Sequence, residues 1–197
     1  MAIIVDKEKK KHSIALAAKE LLLKKGLQNI TVREIADAAG IGKGTVYEYF
    51  EKKEDVLFEL ARILMQEHIG ELTLHLEQKP TVRSKIHAFA SFFYDTRYKT
   101  MRDIYKQFIA HTMLYPSQKM IAFNTECIEE YRGWFCRLLE EGVNKGELKR
   151  EMLYLGNGLF ALGNGLFMQE HIIDSPHSIQ ASLTTFIDTL FDTMETT

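Results

Sequence analysis

The chain has 197 residues, a hydrophobic fraction of 46%, a charged fraction of 26% and a formal net charge of −2. These are ordinary globular values, so disordered and fibrous classes are excluded, and the length suffices for one large domain or a small one joined to a medium one. Only three prolines and no strand-like alternation point to helices, and no apolar run approaches the roughly 20 residues of a membrane helix.

The apolar start, Met1 to Val5, is too short for the core of a signal peptide and runs at once into Asp6 and lysines. The expected location is the cytoplasm. Residues 1–54 hold 11 Lys and Arg against 8 Asp and Glu, and residues 55–197 hold 14 against 19. A basic front and an acidic rear suggest two jobs on one chain.

A first helix is predicted from Lys9 to Lys25, with Ile14, Ala17, Ala18, Leu21 and Leu22 at helical spacing and Gly26 at its end. Lys7, Lys9, Lys10, Lys11 and His12 make a basic run at its start, either a solvated end or an arm for phosphate contacts. Thr31-Val32-Arg33-Glu34 has the spacing of a capping box, and the short helix after it runs to Ala39 with Gly40 as its left-handed stop. A second short helix follows from Lys43 to Phe50, with Val46 and Phe50 on its inner face. Two helices of about two turns joined by a glycine turn describe a helix-turn-helix.

A long apolar helix from Val56 to Leu76 is closed by Pro80. Thr81 caps the next, which carries Val82, Ile86, Phe89 and Phe93, and another spans Met101 to Met113 before Tyr115-Pro116-Ser117. A helix from Ser117 is expected to end at Gly142, ahead of a polar connection, 143–150. Cys127 and Cys136, nine apart, face opposite sides of that helix about 13 Å apart along the axis, which rules out a mutual disulfide there.

Gly156-Asn157-Gly158-Leu159-Phe160 recurs seven positions on as Gly163-Asn164-Gly165-Leu166-Phe167. Four glycines inside a helix cost roughly 4 kcal/mol. The close approach of another helix would offset that; the alternatives are a flexible loop and a phosphate-cradling loop, the second disfavoured because no strand precedes it. The last helix is predicted to start near Ser175 with Pro176 in its first turn, and Ile179, Leu183, Phe186, Ile187, Leu190, Phe191 and Met194 form one apolar stripe. The expected seam between two subunits is Gly156, Gly158, Gly163, Gly165, Phe167, Leu183, Phe186 and Leu190, the alternative for the stripe being the chain's own core.

From Ile14 to Leu57 the sequence resembles the tetracycline-repressor (TetR) family of bacterial transcription regulators. The resemblance rests on Ala39-Gly40-Ile41, Lys43-Gly44-Thr45-Val46-Tyr47, Tyr49-Phe50 and Lys53-Glu54 after a capped helix. It implies an all-α fold of about nine helices: a three-helix DNA-binding head over residues 1–54, then a helical ligand-binding and dimerisation part over 55–197. Two positions depart from the family pattern: Gly42 stands where Ser or Thr usually caps the recognition helix, and Lys52 where Ser, Asn or Asp usually precedes the long helix.

By the same resemblance, Tyr47, Lys53, Thr31 and the amide at Thr31's helix start match phosphate-binding positions. Arg33, Lys43, Gly44, Thr45 and Tyr49 match positions facing the major groove. The chemistry agrees, since Arg33 and Lys43 can donate to guanine and Thr45 can touch a thymine methyl. For the effector the family supplies no positional motif. Tyr105, Phe108, Tyr131 and Trp134 are the candidate pocket walls, with His111 or His87 as a polar anchor for an apolar or aromatic ligand.

The expected partners are double-stranded operator DNA, a second copy of the chain and an unidentified small molecule; no membrane, metal or cofactor is implied. The expected role is a repressor released by its ligand, with an activator or a ligand-independent regulator as the alternative. No H-x-x-x-H, H-E-x-x-H or nucleophile motif supports an enzyme.

Overall fold

A computed structural model describes residues 2–169 and 178–195, and residues 2–6 by their backbone alone. Among these residues the regular structure is helical apart from one isolated bridge, Leu148 to Glu195. The helices are α1 (Ala2–Ala17), α2 (Lys19–Lys25), α3 (Val32–Ala39), α4 (Lys43–Tyr49), α5 (Lys53–Glu77), α6 (Val82–Ser91), α7 (Lys99–Leu114), α8 (Gln118–Asn144), α9 (Met152–Gln169) and α10 (Ile179–Met194). Leu22 N–H still donates to Ala18 O at 2.9 Å, so α1 and α2 form one helix with a break, which begins at Ala2 and not at the expected Lys9; counted so, the described residues form nine α-helices, and the all-α fold is as expected. None of the described helices is long and apolar enough to cross a membrane.

Local chemistry explains most boundaries. The Thr81 side chain caps α6 reciprocally with Ser84, and Ser178 caps α10 by accepting from Ala181 N–H. Ser175 and Pro176, where the sequence suggested that α10 begins, lie outside the described residues. The expected stop at Gly142 is corrected: α8 continues to Asn144, and the glycine with positive φ is Gly146, at 73°. Gly142 is needed for space instead. A methyl there would come 2.6 Å from Leu148 Cδ1 and 3.1 Å from Val82 Cγ1.

Packing divides the chain into two units that differ from the two functional halves expected from the sequence. The first comprises residues 1–68 and 100–124. Its core joins Ile14, Leu22, Ile35, Val46 and Phe50 to Leu57 and Leu60, and adds an aromatic group in which Phe108 lies 5.3 Å from Phe123 and 6.0 Å from Phe58. Within this unit α1 is latched to α5 through Glu59, a carboxylate only 1% exposed. Arg62 reaches Glu59 at 2.6 Å, His12 at 3.2 Å and Lys11 at 3.4 Å. Burial pushes the Glu59 carboxyl up, but the hydrogen bonds and charge of Arg62, with Lys11 and His12, outweigh it and hold the group below its ordinary range.

The second unit comprises residues 69–99 and 125–197. Phe89, Phe92, Phe93, Tyr131, Phe135, Phe160 and Phe167 form its aromatic core, against which α10 sets Leu183, Ile187 and Phe191. Arg83 on α6 fastens α10 by pairing with Asp188 at 3.0 Å and Asp192 at 2.7 Å.

Two helical glycines should therefore respond oppositely to alanine. Gly142→Ala is expected to lower stability by about 1–3 kcal/mol through overpacking. Gly70→Ala, where nothing lies within 4 Å, should raise it by about 1 kcal/mol. Chemical denaturation of the two variants beside the parent measures both.

Candidate nucleic-acid interface

The head is built on the capping box at Thr31. Glu34 N–H donates to Thr31 Oγ1 at 3.2 Å, and Thr31 N–H donates back to Glu34 Oε2 at 2.8 Å. The carboxylate also receives Lys25 Nζ at 2.6 Å. Lys25 first, and the Thr31 hydroxyl and amide next, lower the Glu34 pKa to about 2. At the other end of α3, Gly40 has φ 64° and its N–H bonds to Ala36 and Asp37 carbonyls, which stops the helix and turns the chain into α4.

α4 begins after Gly42, which supplies extended backbone but no side-chain cap. Val46 and Phe50 are buried beneath it. At about 100° per residue this orients Lys43, Gly44, Tyr47 and Glu48 outward, with Thr45 and Tyr49 at the flank. Lys43, Gly44 and Glu48 are exposed, Tyr47 is 51% exposed, and Thr45 and Tyr49 are half-buried. Lys43 Nζ stands 5.9 Å from the Tyr47 ring, and no Cβ at Gly44 would meet an atom within 4 Å. Arg33 is exposed at the start of α3 and has no ion pair among the described residues. The resulting face combines cations, a phenol and bare backbone, the groups that donate to phosphates and to guanine edges.

Three expected contacts need correction. Thr31 spends both its N–H and its hydroxyl on Glu34, so in this state neither is free for phosphate. Lys53 donates to Ile30 O at 2.9 Å and Gln28 O at 3.1 Å, leaving one of its three N–H groups. In the basic run, Lys11 and His12 are drawn to Glu59, while Lys7 and Lys9 remain exposed. The missing cap at Lys52 is supplied from inside the helix, where Asp55 Oδ2 accepts Lys52 N–H at 3.2 Å. That partner was readable in the spacing, because Asp55 stands where a capping-box acid stands. The Lys25–Glu34 pair had no such local signal.

The residues expected to bind a ligand fall in different units. Tyr105, Phe108 and His111 share α7 in the first. Tyr105 donates its hydroxyl to Asn124 Oδ1 at 2.8 Å and stacks on Phe108, while His111 is buried and its Nδ1 has no hydrogen-bond partner among the described residues. Tyr131 and Trp134 stand on α8 in the second. Tyr131 is core, stacked on Phe92 at 5.9 Å. Trp134 is corrected from pocket wall to rim: it lines an open groove, with the Arg137 guanidinium 5.8 Å from its ring. His87 is already paired, 2.9 Å from Asp188 Oδ1, and together with Arg83 it holds that carboxyl below its usual range.

The expected subunit seam is also corrected. Gly156 faces the protomer's own α8, where a methyl would come 3.2 Å from Leu139 and 3.4 Å from Cys136. Gly163 faces Phe93, Phe167 packs against Phe92 and Phe93, and Leu183 is buried. Gly163, Leu183, Phe186 and Leu190 line an apolar cavity of about 50 Å³ inside the second unit. Gly158 and Gly165 point the other way, into open space. Two positions in a helix turn 200°, so one echo supplies small residues to two opposite faces.

Residues 14–60 match the family model described as bacterial regulatory proteins, tetR family. The chain is 27% identical over 138 residues to the HTH-type transcriptional repressor KstR2 of Rhodococcus jostii, covering 68% of this chain and 66% of that relative, just under two thirds of its length. It is 27% identical over 145 residues to the fatty acid metabolism regulator protein of Bacillus subtilis, covering 73% of each. The crystal structure of a putative transcriptional regulator from Saccharomonospora viridis, in complex with choline, superposes with a TM-score of 0.80 at 15% identity, covering 96% of this chain and all of that one.

The cap at α3 is expected to be pH-dependent. Because the folded pKa of Glu34 lies below its ordinary value of 4.5, its contribution is complete above about 4.5 and disappears as pH falls through about 2. Glu34→Gln should therefore destabilise the protein at pH 7 and converge with the parent as pH approaches 2. Thr31→Ala should cost about 1 kcal/mol at neutral pH. Thermal melts of the three proteins across pH test both statements.

Proposed function

The chain belongs to the TetR family of bacterial transcriptional regulators, and we propose that it acts as a homodimeric repressor, released from a palindromic operator when a small apolar or aromatic ligand binds its C-terminal part. As a member of that family it is a DNA-binding regulator and not an enzyme. The observation carrying the reading is the outward face of α4. Lys43, Gly44 and Tyr47 are exposed together, and Arg33 is exposed on the helix that supports them. On this reading residues 1–54 read DNA and 55–197 sense and dimerise, in the cytoplasm where the operator lies. Arg33, Lys43, Gly44, Thr45 and Tyr49 serve the groove, and Tyr47, the remaining Lys53 N–H and the start of α3 serve the phosphates.

A homodimer is supported by the surface that α9 and α10 leave uncovered. Leu155 and Leu162, each 41% exposed, flank Gly158 and Gly165 on the outer side of α9. Ala181, Ser182, Thr185, Phe186 and Thr189 line an open groove on α10. Small residues beside leucines let a second copy's helices approach closely, and a two-fold pairing would set two recognition helices about 34 Å apart, one turn of DNA.

An apolar effector is supported by the α7 cluster, where Tyr105 and Phe108 are buried aromatic rings and His111 brings a buried nitrogen with no hydrogen-bond partner among the described residues. A relative named for fatty acid metabolism agrees with an apolar ligand, whereas the choline held by a structural neighbour is a small cation. Such a ligand shifts the equilibrium only by its differential affinity for the DNA-competent and DNA-incompetent states.

Fluorescence anisotropy on the DNA upstream of the protein's own gene tests the DNA reading. Lys43→Ala should lose about 1–3 kcal/mol of operator affinity and relax the preference at its base pair. No binding by the parent at low salt would sink the repressor. For assembly, Leu162→Arg should sediment as a 22.8 kDa monomer while the parent sediments at twice that mass. Equal masses would remove the α9 seam.

A further inference from the structure

The break after α2 leaves a backbone problem that a distant side chain solves. Gly26 has φ 70°, so the chain leaves helical geometry there and enters the 3-10 turn Leu27–Asn29. The Leu27 N–H, belonging to a residue only 5% exposed, loses its helical acceptor at this point. Gln107 on α7 supplies one. Leu27 N–H donates to Gln107 Oε1 at 3.2 Å, and Gln107 Nε2 donates to Leu22 O at 3.2 Å. The amide thus bridges the end of α2 and the start of the turn, and only one orientation of its O and N satisfies both partners.

The same turn is held from its other end. Lys53, the first residue of α5, donates to Gln28 O and Ile30 O. The next residue is Thr31, the cap of α3. The segment that leads into the DNA-reading helices is therefore gripped by α7 at Leu22 and Leu27 and by α5 at Gln28 and Ile30. All of these contacts lie within the first unit.

We propose that Gln107 is the positioning residue through which α7 sets the pose of the DNA-reading head, so that an effector acting on α7 is read at the turn before α3. This deepens the reading above and rests on it for its regulatory meaning. Tyr105, Phe108 and His111 lie two positions before, one after and four after Gln107 on one helix. A ligand that draws on them shifts or rotates the segment carrying the amide. A side-chain bridge with two directional bonds tolerates little displacement before both are lost. Its loss leaves a buried N–H unpaired and frees the turn from one of its two grips. Phe108, packed on Phe58 of α5, passes the same displacement to the second grip.

The test is hydrogen exchange of the full chain, with operator binding measured in parallel. Gln107→Met keeps the length and removes both bonds. Exchange is expected to quicken by about tenfold through the turn and on into residues 32–50, while the helices of the second unit keep the parent's rate. Affinity for the upstream DNA should fall about tenfold with an unchanged salt slope, because the phosphate contacts are intact. Gln107→Glu keeps the acceptor for Leu27 and loses the donor for Leu22, so it should fall between the two, and it carries the test if the methionine variant does not fold. Quickening confined to Leu27, with affinity within about twofold of the parent, would overturn the proposal, since a merely local hydrogen bond behaves that way. Should the parent fail to bind the upstream DNA, the repressor reading falls, whereas the exchange result still judges the grip on the head.

Discussion

Helices as short as α3 and α4, of 8 and 7 residues, do not hold their shape in water, because nucleation costs more than two turns of hydrogen bonds return. Everything that makes the head a possible DNA reader follows from meeting that cost from outside the helices. The Thr31–Glu34 box, the left-handed Gly40 and the buried pair Val46 and Phe50 hold the two helices by their ends and inner faces. The outer face of α4 is left with no structural duty. It can be as polar and as bare as its partner requires.

The charges show the same division of labour. The front of the chain is only mildly basic, and part of its positive charge is spent internally. Lys11, Lys25 and Lys53 bind carboxylates and carbonyls of the first unit, while Arg33 and Lys43 are exposed. Net charge is a poor guide to the exposed face of α4 for that reason. The inward group matters mechanically: Glu59 is buried between Arg62 and Lys11 with the His12 ring beside it, and removing either cation would leave its charge less well compensated. The head is thus tied to α5 by ions and to α7 by an amide, two kinds of bond with different responses to salt and displacement.

The glycine echo of α9 illustrates how far periodicity can be read. A repeat of seven in a helix of 3.6 residues per turn keeps each repeated position near one line. That much was visible in the sequence, as was the inference that small residues there allow close approach. Which helix approaches was not visible. Gly156 and Gly163 admit the protomer's own α8 and Phe93, and only Gly158 and Gly165 remain on the open side. The same limit applies to the stripe of α10, where Leu183 and Phe191 serve the interior and Phe186 touches both cavity and surface.

The sequence by itself determined most of the helices, the caps at Thr31 and Thr81, the turn at Gly40, and the two-helix unit with the residues on its outer face. Those features rest on contacts between residues three or four apart, and the chain carries both partners of each within one window. Tertiary structure alone decided where Lys53 spends its protons, that Gly142 makes room for Leu148, that Trp134 is a rim and Tyr131 core, and that Gln107 reaches Leu27 across 80 positions. Each of these depends on which helix faces cross. Crossing is selected by the packing of whole apolar surfaces, a sum over many side chains that no short stretch of sequence contains.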